Sequence, residues 1–200
     1  MLNDLVSGII SGILISLGGG VFLSCENKIA GSVLFAVALL CICMLGYYLY
    51  TGKICFMIEK HDKAAWQLLI LCIIGNAIGT FVCGQLLAYA VPNMQEATAK
   101  ICVAKLNQLP LQTIIRGTFC GILIYLAVII FRQNRNISGI VFCIPVFILS
   151  GYEHSIADMF YFAAAGSCDV PSFIFILLVI LGNSVGGLLL PFLNLALKEK

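Results

Sequence analysis

The sequence is short of charge. Of its 200 residues 11 are Lys or Arg and 9 are Asp or Glu, a charged fraction of 10% beside 62% hydrophobic residues, where soluble domains carry about 25% and about 45–50%. That deficit excludes a soluble fold. Long polar segments are also missing: the longest connection, residues 91–110, has no apolar periodicity of its own, so there is no room for a separate soluble domain. A basic patch is missing as well, because the net charge of +2 comes from residues scattered near the ends of apolar runs, and nucleic acid is excluded as a partner. No nucleophile–base pair, metal-ligand cluster or phosphate-binding loop stands out, so neither enzyme chemistry nor a metal or cofactor is expected.

What is present is apolar length. Uncharged runs occupy residues 5–25, 29–52, 64–95, 117–131, 137–152 and 170–197, and about 20 such residues cross the hydrocarbon core. The reading is an all-α integral membrane protein of six transmembrane helices in a single channel domain, residues 1–200. The first run lacks a basic leader and a small-residue cleavage site and counts as mature structure. Lys60, Lys63, Arg132, Arg135, Lys198 and Lys200 follow runs two, four and six, whereas Lys28, Lys100 and Lys105 fall in the opposite loops. This bias puts both termini in the cytoplasm of a multi-pass protein of the cell (plasma or inner) membrane. Of the ten cysteines, most sit inside runs (Cys41, Cys43, Cys72, Cys83, Cys120, Cys143) without metal or redox spacing, and pack as small apolar groups. Cys102 and Cys168 share the outer side, where an oxidising compartment would let them pair.

A repeat is hidden in the small residues. "GIISG" (8–12) and "GNAIG" (75–79) in runs one and three match "GTFCG" (117–121) and "GNSVG" (182–186) in runs four and six at nearly constant offset. Each Gly pair alone means close helix packing. Their common order suggests halves of about 1–95 and 106–200, and because each half crosses three times, the second must be inverted relative to the first. Runs two and five then correspond, and both falter: run two at "LYTGK" (49–53), run five at "SGYEHS" (150–155), giving interrupted helices two and five. Irregular backbone at membrane depth survives only inside protein or along a water-filled cavity.

The second break carries Glu153, His154 and Asp158. A charge at the bilayer centre costs somewhere from about 2.5 to 17 kcal/mol. For the two carboxylates one explanation is structural, with both accepting from freed backbone N–H groups and capping the second half-helix. His154 invites a functional one, since with an ordinary pKa of ~6.5 it changes charge near neutrality and can exchange protons. Thr51, at the matching break, offers a hydroxyl to the imidazole and so a means of setting its tautomer. Phe35, Leu39, Leu49, Tyr50 and Phe147 stand around them, as ordinary helix packing or as dry constrictions on either side of His154.

With "SGYEHSIADMF" (150–160), "GNSVGG", "GNAIG" and the "LYTG" break, the chain resembles the formate/nitrite transporter family of anion channels over nearly its whole length. The resemblance implies an aquaporin-like inverted repeat, a homopentamer with one pore per protomer, and a small monovalent anion and a proton as partners within the lipid bilayer. It implies that His154 is the central pore histidine, that Thr51 is its loop partner, and that Phe35, Leu39, Leu49, Tyr50 and Phe147 are constriction positions, Tyr50 replacing the usual Phe. Asn183 matches a pore-facing Asn, with Glu153 beside the histidine. The chain departs from the family at Tyr125, where a pore Asn is usual, and at Leu109, where a vestibule Lys is usual and Lys105 one turn earlier is the substitute.

The function expected is a channel for small monovalent weak-acid anions of the formate, nitrite or hydrosulfide class, protonated at His154. The alternatives are a proton-coupled secondary transporter using the same histidine, a neutral-solute channel that would not need it, and a membrane scaffold that would leave it unexplained.

Overall fold

The computed structural model describes residues 1–198, and every regular element among them is a helix. Lys200, counted above toward orientation, lies outside the described residues. The order is α1 (Leu2–Ser24), α2 (Lys28–Leu45), α3 (Tyr50–Lys53) with a 3-10 turn (Ile54–Phe56), α4 (Lys63–Ala90), α5 (Met94–Leu106), α6 (Pro110–Asn134), α7 (Ser138–Leu149), α8 (Ser155–Ala165) and α9 (Val170–Lys198). Five of these, α1, α2, α4, α6 and α9, are long and apolar enough to cross a membrane, and α7 and α8 are shorter apolar helices.

Local chemistry sets the ends. The Asn27 Oδ1 accepts from the N–H groups of Ile29 and Ala30 at 3.0 and 3.1 Å to start α2, and the Asp62 Oδ1 accepts from Ala65 N–H at 2.8 Å to start α4, each replacing a bond that a first turn lacks. The Asp169 carboxylate accepts from the Ser172 hydroxyl and N–H at the start of α9, and these bonds hold it below its ordinary pKa. At the C-terminus of α2, Gly46 takes φ 77°, a left-handed conformation open to a residue without Cβ. Hydroxyls inside the long helices fold back onto their own backbone, as Ser16 does on Gly12 O at 2.8 Å and Thr80 on Asn76 O at 2.9 Å, which removes free donors from an apolar setting.

Two packed pairs form the frame: α1 lies along α4, and α6 lies along α9. Both contacts are made where the matched Gly motifs meet. A Cβ on Gly75 would stand 2.9 Å from Gly8 Cα, and one on Gly182 would stand 2.9 Å from Gly117 Cα, distances at which backbone, not a pliant side chain, would have to move. In hydrocarbon such close approach supplies the dispersion energy that the hydrophobic effect cannot. Gly75→Leu is therefore expected to separate α1 from α4 and to lower the apparent Tm of detergent-solubilised protein by several degrees or prevent its assembly, whereas Gly52→Ala, where an added Cβ meets only Val128 at 3.6 Å, should leave Tm unchanged.

The connection at 91–110 is not featureless. Its α5 packs on α8 and buries Met94, Thr98 and Cys102, spaced at fours on one face. Because Thr98 and Lys105 belong to the packed side, hydropathy conceals the helix. Cys102 and Cys168 are not paired; all ten cysteines are free thiols, Cys102 buried and Cys168 exposed.

Candidate functional site

Between α2 and α3 the chain leaves the helix at 46–49, and between α7 and α8 at 150–154. The two gaps are held the same way by one asparagine each. Asn76, on α4, accepts from Tyr50 N–H at 2.9 Å and donates to Gly8 O and Tyr48 O at 2.8 and 3.0 Å. Asn183, on α9, accepts from Ser155 N–H at 2.9 Å and donates to Gly117 O and Glu153 O at 2.9 and 2.8 Å. Each side chain ties the first residue of a short helix, a carbonyl of the gap before it, and the neighbouring long helix into one unit. Both are fully buried; groups with no water to turn to need such partners. Asn183, expected to face a pore, spends its amide on backbone. Asn76 was not foreseen, although its place in "GNAIG" mirrors that of Asn183 in "GNSVG".

These clamps bring His154 and Thr51 together. The imidazole Nε2 lies 2.9 Å from the Thr51 Oγ1, and Nδ1 accepts from Ala157 N–H at 3.2 Å. A backbone N–H can only donate, so Nδ1 carries no proton; the ring is neutral, and Nε2–H donates to the hydroxyl. The tautomer is set by the backbone, with Thr51 receiving the proton-bearing edge. His154 is thereby the N-cap of α8. Neither Glu153 nor Asp158 accepts from the freed N–H groups; the structural role first considered for them falls to the histidine.

The carboxylates face Lys105 instead. Its ammonium pairs with Glu153 and with the Asp158 Oδ1 at 2.8 Å, while Gln108 donates to the Glu153 Oε1 at 2.7 Å. The side chains of Glu153 and Asp158 are 4% and 1% exposed, so this is a buried cluster of one ammonium and two carboxyl groups rather than a free vestibule lysine. The Asp158 Oδ2 and the Ser155 hydroxyl, both buried, lack hydrogen-bond partners. Leu109, where a vestibule lysine was sought, is exposed at the start of α6.

The apolar candidates divide into two rings. Phe35 and Phe147 meet edge to face at 6.3 Å, Phe147 stacks on His154 at 5.7 Å, and all three border a cavity of about 250 Å³ that Lys105 also lines. Leu39 and Leu49 border a second cavity, of about 410 Å³, which opens beside Gly52 and Lys53. Tyr50 lines neither: its ring is buried and its hydroxyl is 2.8 Å from the Ser184 hydroxyl on α9. Tyr125 is buried on α6 away from both cavities. Among the described residues, no group of three or more His, Cys, Asp or Glu side chains could hold a metal ion.

The family model described as formate/nitrite transporter matches residues 1–196. The chain belongs to that family. It is a multi-pass membrane protein of a transporter and channel family, not an enzyme. Formate-nitrite transporter 2 of Toxoplasma gondii (strain ATCC 50611 / Me49) is 31% identical in an alignment 186 residues long that covers 82% of this chain and 40% of that protein. The nitrite transporter NirC of Escherichia coli (strain K12) is 26% identical in an alignment 143 residues long that covers 64% of this chain and 53% of that protein. The chain thus matches about two-fifths to one-half of the length of these relatives. Among solved structures, a pentameric formate channel with formate bound superposes with a TM-score of 0.82 at 21% identity, covering 100% of this chain and 98% of that one. An ion channel of the same family gives 0.81 at 21% identity, covering 94% and 85%. These likenesses establish the fold.

Proposed function

We propose that the protein is a channel for small monovalent weak-acid anions of the formate, nitrite or hydrosulfide class, in which the anion crosses as its neutral acid after taking a proton at His154. The observation that carries the reading is the contact of the His154 Nε2 with the Thr51 hydroxyl at 2.9 Å, with Phe35 and Phe147 on one side and Leu39 and Leu49 on the other. An isolated ion passing such rings would lose hydration worth tens of kcal/mol in the ideal limit. Protonating a carboxylate with a pKa about 3 units below neutrality requires only about 4 kcal/mol. The Thr51 hydroxyl gives its proton to the anion and takes the Nε2 proton in its place, and a proton from the cavity lined by His154 returns to Nε2, with Nδ1 held by the Ala157 N–H throughout.

In this reading the membrane fold has six spans: α2 with α3, and α7 with α8, form the interrupted second and fifth, and residues 1–95 and 106–200 are inverted repeats of an aquaporin-like protomer. The equivalent clamps of Asn76 and Asn183 support it. Five protomers assemble, each with its own pore, in the cell membrane with both termini cytoplasmic. A proton-coupled secondary transporter would use the same contact, and accumulation of anion against its own gradient would distinguish it.

The test is uptake of formate, nitrite, hydrosulfide, acetate and lactate by proteoliposomes at about pH 5 and about pH 7.5, a span over which the protonated fraction of a weak acid changes more than a hundredfold. Flux of one or more anions that rises in acid is the expected result; flux of a neutral polyol with no anion flux would overturn it. Thr51→Val should reduce anion flux about tenfold or more by breaking the relay, and Thr51→Ser, which keeps the hydroxyl, should retain most of it.

A further inference from the structure

Tryptophan occurs once in the chain, at Trp66, which is half exposed in the first turn of α4. Tyr89, almost wholly exposed, stands near the other end of the same helix. At 1.5 Å per residue the two are set about 35 Å apart along α4, close to the depth of the hydrocarbon core with its adjoining interface, and such side chains collect at both surfaces of a membrane. Trp66 therefore marks headgroup level. At that level a concave site of about 210 Å³ lies between the start of α4 and the 3-10 turn that follows α3. Its wall is apolar, with Phe56 and Met57 on one side and Leu68 and Leu69 on the other, and its charge comes from Lys53 and Lys60. Among the described residues no Asp or Glu lines it. Lys53, which stands between this site and the larger cavity beside Leu39 and Leu49, has no ion pair or side-chain hydrogen bond among the described residues; its Nζ lies 4.0 Å from the Tyr48 ring centroid. The Lys60 side chain is 73% exposed, and its contact with Asp62 is 3.8 Å long. An aromatic face steadies a cation without neutralising it, and a long, exposed ion pair holds its lysine weakly. Both ammonium groups keep donors free above an apolar wall.

We infer that this site binds an anionic phospholipid, with its phosphate on Lys53 and Lys60 and the first methylenes of an acyl chain against Phe56, Met57, Leu68 and Leu69. The inference is independent of what the pore carries. Lipid is the medium at this depth, so the occupant is already at hand. The surroundings favour an anionic one: Lys63, Arg132 and Arg135 lie at the same end of the helices, and basic pockets at headgroup depth take anionic head groups. A zwitterionic lipid brings a cation of its own, which offsets part of the attraction. A second copy of the chain fits less well. Among the described residues, the acids at this end, Asp4, Glu59 and Asp62, already have cationic partners, so a neighbouring copy offers the lysines no free carboxylate there. Occupancy also reaches the candidate site. Lys53 ends α3 and Thr51 stands two residues before it, so a headgroup held by Lys53 fastens the segment that brings the hydroxyl to His154.

The test is native mass spectrometry of the full-length protein in detergent, with phosphatidylglycerol and phosphatidylcholine of identical acyl chains as probes and inorganic phosphate as competitor. One phosphatidylglycerol per chain, held about tenfold or more tightly than phosphatidylcholine, is the expected result, and the preference should shrink as ammonium acetate is raised. Lys53→Gln combined with Lys60→Gln should abolish the preference, and Lys53→Arg combined with Lys60→Arg should keep it. Equal retention of the two lipids by wild type, a preference unmoved by salt, or one that survives in the Gln pair would overturn the lipid site. Displacement of phosphatidylglycerol by inorganic phosphate would make it a site for a free anion, and assembled wild-type protein that retains no lipid would give the surface to a neighbouring copy; either result refutes the inference. Thermal unfolding supplies a second reading. Phosphatidylglycerol should raise the wild-type Tm by more than phosphatidylcholine does, and Lys60→Gln, an exposed change that disturbs no packing, should lose about half of that extra rise; an undiminished rise there would remove Lys60 from the site.

Discussion

His154→Ala and His154→Phe protein that still assembles should lose acid-stimulated anion flux, by about a hundredfold or more at acidic pH, the range ascribed to a positioned proton-transfer group. Two losses are mixed in these variants, since the imidazole also accepts from Ala157 N–H as the N-cap of α8, and removing a cap by itself destabilises a helix by about 1 kcal/mol. His154→Asn separates them. Its amide oxygen can cap α8, so folding should be preserved, but it holds no exchangeable proton near neutrality. The sign follows from the chemistry: the proton that the neutral His154 relays is drawn from solution, and the weak acid is itself more protonated in acid, so wild-type flux climbs as pH falls. Transport by His154→Asn should be low and nearly flat with pH. Wild-type flux with unaltered pH dependence in a monodisperse His154→Asn protein would remove the histidine from the mechanism.

The membrane class and the helical fold were legible because hydropathy reports burial in lipid directly. Of the departures from helix, the one at "SGYEHS" was legible, where the described chain is non-helical at 150–154, whereas the one expected at "LYTGK" lies earlier, at 46–49, and Tyr50–Lys53 is itself helical. Less visible was what holds those gaps. Asn76 and Asn183 look alike in their Gly frames, yet an asparagine bracing backbone and one facing a pore have the same sequence signature; only their partners tell them apart. The role of α5 was hidden for a related reason. A helix that buries a threonine and a lysine shows no apolar stripe, because the lysine is matched by carboxylates more than forty residues away. The sequence also offered Glu153 and Asp158 as caps for α8, a local explanation, when their partner was remote and the cap was the adjacent histidine. Short-range chemistry is readable in a single chain; pairing across the fold is not, unless a repeat exposes it.

That remote pairing has a large expected effect of its own. Lys105→Met would leave Glu153 and Asp158 facing each other with no cation, their side chains 4% and 1% exposed. Deleting one partner of a buried ionic cluster destabilises by about 3–5 kcal/mol, set against a typical folding stability of about 5–15 kcal/mol, so the yield of monodisperse protein after detergent extraction should collapse. If charge balance rather than shape is the cause, neutralising the anions must reverse it. Lys105→Met combined with Glu153→Gln and Asp158→Asn should recover extractable protein with a Tm near that of wild type, since neutral amides require far less compensation than carboxylates. Glu153→Gln alone, which leaves Lys105 one carboxylate, should be mild. Thermal unfolding by size-exclusion profile reads all three variants, and a well-folded Lys105→Met single variant would show the cluster to be dispensable. The recovered triple variant also separates structure from transport: α5 would sit on α8 without a charge between them, and acid-stimulated flux should survive because His154, Thr51 and the two apolar rings are unaltered. Flux lost in a protein that folds would instead assign Lys105 to the path of the anion.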